Sequence, residues 1–140
     1  MNDLEAAKKR LCDEGLSLSI VKGGDVVYES ALRGIFGFLD VIDEMGAMLE
    51  GASIADRVIG KAVALLCVHA KIKAAYAITL SREAEKVFEE HCVEHEWHVL
   101  VDNILDRDEV GICPFERLVE GVSNSKEAYE KLVALRGCLK

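Results

Sequence analysis

Two short runs in this 140-residue chain combine side chains able to do chemistry with backbone signals able to aim them. The first is Asp56-Arg57-Val58-Ile59-Gly60-Lys61. It lies near the start of an apolar stretch that reads as a buried helix from Ser53 to Val68, with Ser53 and Asp56 spaced as a short-acid capping box. On such a helix Arg57 and Lys61 share a face, where like charges cost about 0.2–0.5 kcal/mol. Gly60 adds a cost of roughly 1 kcal/mol against alanine. Read as a site, the helix N-terminal amides, Arg57 and Lys61 face an anionic or polar ligand, and Gly60 admits its close approach. Read as structure alone, Asp56 caps, Gly60 lets another element pack closely, and both cations lie at an exposed helix end.

The second run is Gly111-Ile112-Cys113-Pro114-Phe115-Glu116, which holds the only proline of the chain. Proline at a first helical position fixes φ and lacks an amide that would be orphaned there anyway. That makes Cys113 the N-cap, with its sulfur near free backbone amides that favour a nucleophilic thiolate. The expected catalytic roles are Cys113 as nucleophile or sulfur carrier, Lys61 as stabiliser of negative charge, and Asp56 or Glu116 as the proton carrier. Ser53, Arg57, Arg107 and Asp108 complete the site as ligand-binding residues. The bland alternative for Cys113 is an inert, small apolar cap.

A third run, His91-Cys92-Val93-Glu94-His95-Glu96-Trp97-His98, has metal-binding residue types. A strand here puts His95 and His98 on opposite faces, so the run reads as a polar helix-to-strand connection. Neither a metal nor another cofactor is predicted. Cys12, Cys67, Cys92 and Cys138 are scattered without ligand spacing.

The elements that must position these residues follow from periodicity. Leu4, Ala7 and Leu11 mark a helix over residues 2–14 that stops at Gly15. Residues 16–21 and 26–28 flank Gly23-Gly24 as an antiparallel hairpin. Residues 35–45 form a helix ending near Gly46, and the stretch from Ser53 to Val68, apolar almost all round, a buried one. Ala74 to Leu80 and residues 96–100 are short strands joined by a helix capped by Ser81, a βαβ unit with parallel strands. Cys113 and Ser125 cap the last two helices. The result is a single domain, residues 1–140, of three-layer α/β/α sandwich type with a mixed sheet. Ligands of such sheets gather beyond the carboxyl ends of the parallel strands, so the 101–113 loop is the expected mouth of a site.

Composition narrows the partners. Seventeen basic against twenty-five acidic residues give a net charge of −8, which argues against nucleic acid and anionic membranes, since both require a basic surface. Five cysteines without a C-x-x-C pair fit free thiols in a reducing, cytoplasmic setting. A small-molecule ligand, with an anionic one favoured by the local cations, is the expected partner. A non-catalytic binding module is the alternative to a Cys-dependent enzyme.

Several runs together resemble a bacterial and archaeal family, domain of unknown function 1893. They are Asp3-Leu4-Glu5, Val26-Val27-Tyr28, Arg33-Gly34, the run from Gly51 to Ala62, Arg107-Asp108, and Gly111 to Glu116. The resemblance implies a cytidine-deaminase-like fold in which the start of the buried helix and the Cys113 turn face each other across one pocket. Zinc deaminases use His or Cys, a Glu two residues on, and P-C-x-x-C. Here Ser53, Asp56, Arg57 and Lys61 replace the first half, and the second carries one thiol. One soft ligand does not hold a conventional zinc site.

Overall fold

The computed structural model describes residues 2–32, 35–105, 111 and 113–139, so the Arg33-Gly34 turn lies outside the described residues. Helix α1 (Asp3–Asp13) starts where the Asn2 side chain accepts from the Glu5 N–H, and its stripe of Leu4, Ala7 and Leu11 is buried. Strands β1 (Leu18–Lys22) and β2 (Asp25–Ser30) pair antiparallel. They turn through Gly23 and Gly24, both at positive φ, where a β-carbon would be strained. The Asp3 carboxylate accepts from both turn amides at 2.8 and 2.9 Å, fastening the hairpin to the start of α1. Helix α2 (Ile35–Met45) ends at Gly46 and is followed by a 3-10 turn, Gly46–Leu49.

The buried helix expected from Ser53 to Val68 divides. Ser53–Ile59 is strand β3, and helix α3 (Lys61–His69) begins after Gly60. Ser53 and Asp56 therefore form no capping box. A short apolar run does not distinguish strand from helix by periodicity. Here pairing on both edges decides: Ile54 lies opposite Ile20 of antiparallel β1 and opposite Ala75 of parallel β4 (Ala74–Ser81). The β-branched Ile54, Val58 and Ile59 also suit a pleated surface.

Helix α4 (Arg82–Glu90) is capped by Ser81, whose Oγ accepts from the Ala84 N–H at 3.1 Å, and leads to β5 (Glu94–Val101). Helices α5 (Pro114–Leu118) and α6 (Ser125–Leu139) complete the chain. The cap of α6 is Asn124 rather than the expected Ser125, because the Asn124 side chain accepts from both Lys126 and Glu127 N–H groups.

The sheet order is β2-β1-β3-β4-β5, with β3, β4 and β5 parallel and the hairpin extending one edge. It is a mixed sheet of α/β class. One face packs α1 against Val21, Ala55, Ala74 and Tyr76. The other carries the larger core, with Phe38, Leu65, Phe88 and Leu132 from α2, α3, α4 and α6. Arg136 of α6 reaches Asp40 at 2.8 Å and Asp43 at 2.5 Å, joining α6 to α2. No helix among the described residues is long and apolar enough to cross a membrane.

Candidate functional site

The carboxyl ends of β3, β4 and β5, the start of β1 and the end of β2 share one edge of the sheet. Helix α3 starts there, and its first amides need acceptors. Glu116 supplies them from α5: its two carboxylate oxygens accept from Lys61 N–H at 2.7 Å and Ala62 N–H at 2.8 Å. The carboxylate lies so close that a β-carbon on Gly60 would stand 2.1 Å from Oε1 and 2.8 Å from the Ile104 side chain. Gly60 thus admits Glu116, the packing role, rather than a ligand. Burial raises the Glu116 pKa, opposed by the Ala62 and Lys61 amides.

Cys113 is the residue before α5, with Pro114 at the first helical position, as expected. Its N–H donates to the Ile104 carbonyl at 2.9 Å, and its own carbonyl accepts from Glu116 and Arg117. The thiol makes no capping hydrogen bond. Its place at a cavity wall therefore distinguishes it more than helix-terminal bonding does.

That cavity has a volume of about 710 Å³. Its walls are mainly apolar and include Leu18, Phe38, Val58, Val63 and Phe115, while Asp56, Cys113 and Glu116 supply polar groups. An edge-to-face contact between Phe36 and Phe115, 5.4 Å between ring centroids, ties α2 to α5 beside it. Burial pushes the Asp56 pKa up to about 7, against the opposing backbone amides of Val58 and Arg57. Asp56 also helps burial raise the pKa of Cys67 in α3, whose thiol is fully buried. A carboxyl poised near neutrality can both accept and donate a proton.

The predicted residues separate on this framework. Asp56, Arg57, Cys113 and Glu116 all contribute to the cavity lining. Arg57 nevertheless spends its Nε–H on the Leu16 carbonyl at 2.8 Å. Ser53, 3% exposed, is at the amino end of β3, roughly 20 Å from Ile59 at the usual strand rise. Lys61 meets the site through its backbone N–H. Arg107 and Asp108 lie outside the described residues. Sequence reasoning missed Ser17, Ser30, Phe38 and Ile104 as lining residues. Phe38 is on the buried face of α2, and only the fold shows this and what it packs against.

A family model described as TM1506, domain of unknown function (DUF1893), matches residues 6–134. The chain belongs to this family. A crystal structure of a DUF1893 family protein (TM1506) from Thermotoga maritima has the same fold, with a TM-score of 0.87 and 26% sequence identity. The superposition covers 95% of this chain and 89% of that one. No curated protein matches the chain. In this DUF1893 protein the matched span takes in both sides of the cavity, Asp56 and Gly60 as well as Cys113 and Glu116.

Proposed function

We propose that this DUF1893 protein binds a small, mainly apolar molecule carrying a hydrogen-bond donor, in the cavity at the carboxyl edge of β3. The observation that carries this reading is the pairing of an apolar cavity of about 710 Å³ with the carboxyl groups of Asp56 and Glu116. Pockets of roughly 300–1,000 Å³ with a few convergent polar groups are the usual form of a small-molecule site. An anion is less well served. The α3 amides that would receive it are bonded to Glu116, and Arg57 is held by Leu16. The antiparallel hairpin beside three parallel strands, with helices on both faces, supports a deaminase-like sandwich in which this cavity replaces the metal-dependent pocket.

A thermal-shift screen of matched neutral and anionic forms of the same planar scaffolds tests the reading. Neutral members should raise Tm, and Val63→Trp, which fills the cavity, should abolish the response. Stronger stabilisation by the anionic members, or an unchanged response in Val63→Trp, would overturn it.

A second reading, a Cys-dependent enzyme or sulfur carrier, is favoured by one observation: Cys113 lines the same cavity as Asp56 and Glu116. It requires Cys113 to alkylate faster below neutral pH than the exposed Cys12 and Cys138. Equal rates leave the binding module alone.

A further inference from the structure

Helical spacing puts Glu85 and Glu89 one turn apart on the same face of α4, where two like charges are mutually destabilising. Among the described residues neither forms a salt bridge, and Arg82 of the same helix pairs instead with Asp102 at 2.7 Å. Both turn toward β5. One carboxylate oxygen from each and a ring nitrogen of His95 all lie within 4.8 Å of one another.

His95 is held as a metal-ligating histidine is held. Its Nδ1 stands 2.8 Å from the Val93 carbonyl. A carbonyl only accepts, so in the neutral ring Nδ1 carries the hydrogen and Nε2 keeps its lone pair. The ring is steadied by Phe88 at 5.6 Å and by Trp97, stacked at 5.9 Å and 17°. This bond is independent of the carboxylate cluster and leaves Nε2 as the ring nitrogen able to act as a donor.

We infer that Glu85, Glu89 and His95 bind a divalent transition-metal ion between α4 and the edge strand β5. One imidazole with two carboxylates suits zinc, cobalt, nickel or manganese, whereas magnesium and calcium prefer oxygen alone. Tetrahedral bonds of about 2.0–2.2 Å place donor atoms roughly 3.5 Å apart, so a small turn of the glutamate side chains closes the set. Water completes the coordination, since Glu89 is exposed and the other two are partly so. The ion neutralises the two carboxylates and pins β5 to α4. The site is separate from the cavity and does not depend on what the cavity binds.

Trp97 is the only tryptophan of the chain and stacks on the proposed ligand, so its fluorescence is the readout. Chelator-treated protein titrated with Co²⁺ should show saturable 1:1 quenching that Zn²⁺ reverses by competition and Mg²⁺ does not. Glu85→Gln/Glu89→Gln and His95→Gln should each weaken Co²⁺ binding by roughly 10–100-fold or more, while His91→Ala and Cys92→Ser leave it unchanged. Zn²⁺ should also raise the Tm of the wild type but not of the double variant, a comparison that registers any loss of folding directly. Unsaturable quenching, or wild-type affinity in the double glutamine variant, would overturn the inference.

Discussion

Gly60 and Glu116 are in contact that leaves no room for a side chain at position 60: a β-carbon there would come within 2.1 Å of Oε1 of Glu116. The Gly60 backbone is extended, with φ −101°, so the demand for glycine is one of space and not of backbone handedness. The same carboxylate serves the first two amides of α3 from a residue 55 positions along the chain. One half-buried group therefore joins α5 to α3 and closes one side of the cavity.

Gly60→Ala should displace that carboxylate and lose its charge-assisted hydrogen bonds, at a cost of roughly 2–4 kcal/mol. Because both substitutions break one contact, Gly60→Ala and Glu116→Ala should be far from additive when combined. Urea unfolding of the two single variants and the double measures this. Strict additivity would show that the cost of Gly60→Ala does not run through the Glu116 bonds to α3.

Asp56 predicts a pH dependence with a definite sign. Its folded pKa is raised from an ordinary 3.8 to about 7, so between these values the folded state keeps a proton that the unfolded chain releases. Stability from this group is present below the unfolded pKa and is lost as pH rises through the folded one. Asp56→Asn removes the loss. The variant should gain roughly 1–3 kcal/mol on the wild type at about pH 8 relative to about pH 5, a range discounted for water reaching the cavity. Unfolding curves at both pH values check it; a difference of opposite sign would place the Asp56 charge beside a compensating cation.

Ser19 of β1 is fully buried, and its hydroxyl has no hydrogen-bond partner. An unpaired buried hydroxyl keeps its desolvation cost without return. Ser19→Ala should leave the fold intact and be neutral or more stable by up to about 1 kcal/mol. A Tm below that of the wild type would mean that the hydroxyl is serving a bonded group after all.

How much of this was legible beforehand differs by element. The glycine pair at 23–24, the stop at Gly15, the Ser81 cap and the proline after Cys113 act within a few residues, and each lies where its local chemistry requires. The opposite facing of His95 and His98 follows equally from strand alternation. The stretch from Ser53 to Lys61 was not legible, because an apolar run satisfies helix and strand alike until its neighbours are known.

The sequence by itself determined the α/β class, the hairpin, the βαβ unit and the turn that presents Cys113, all through caps, turns and periodicities read over short distances. The tertiary structure alone decided that β3 forms between β1 and β4, that Glu116 occupies the α3 amides, and that His95 meets Glu85 and Glu89. Each of these is a contact between separate elements. Its energy comes from hydrogen bonds, charge and packing that exist only once the chain has brought distant residues together, so no local pattern records it.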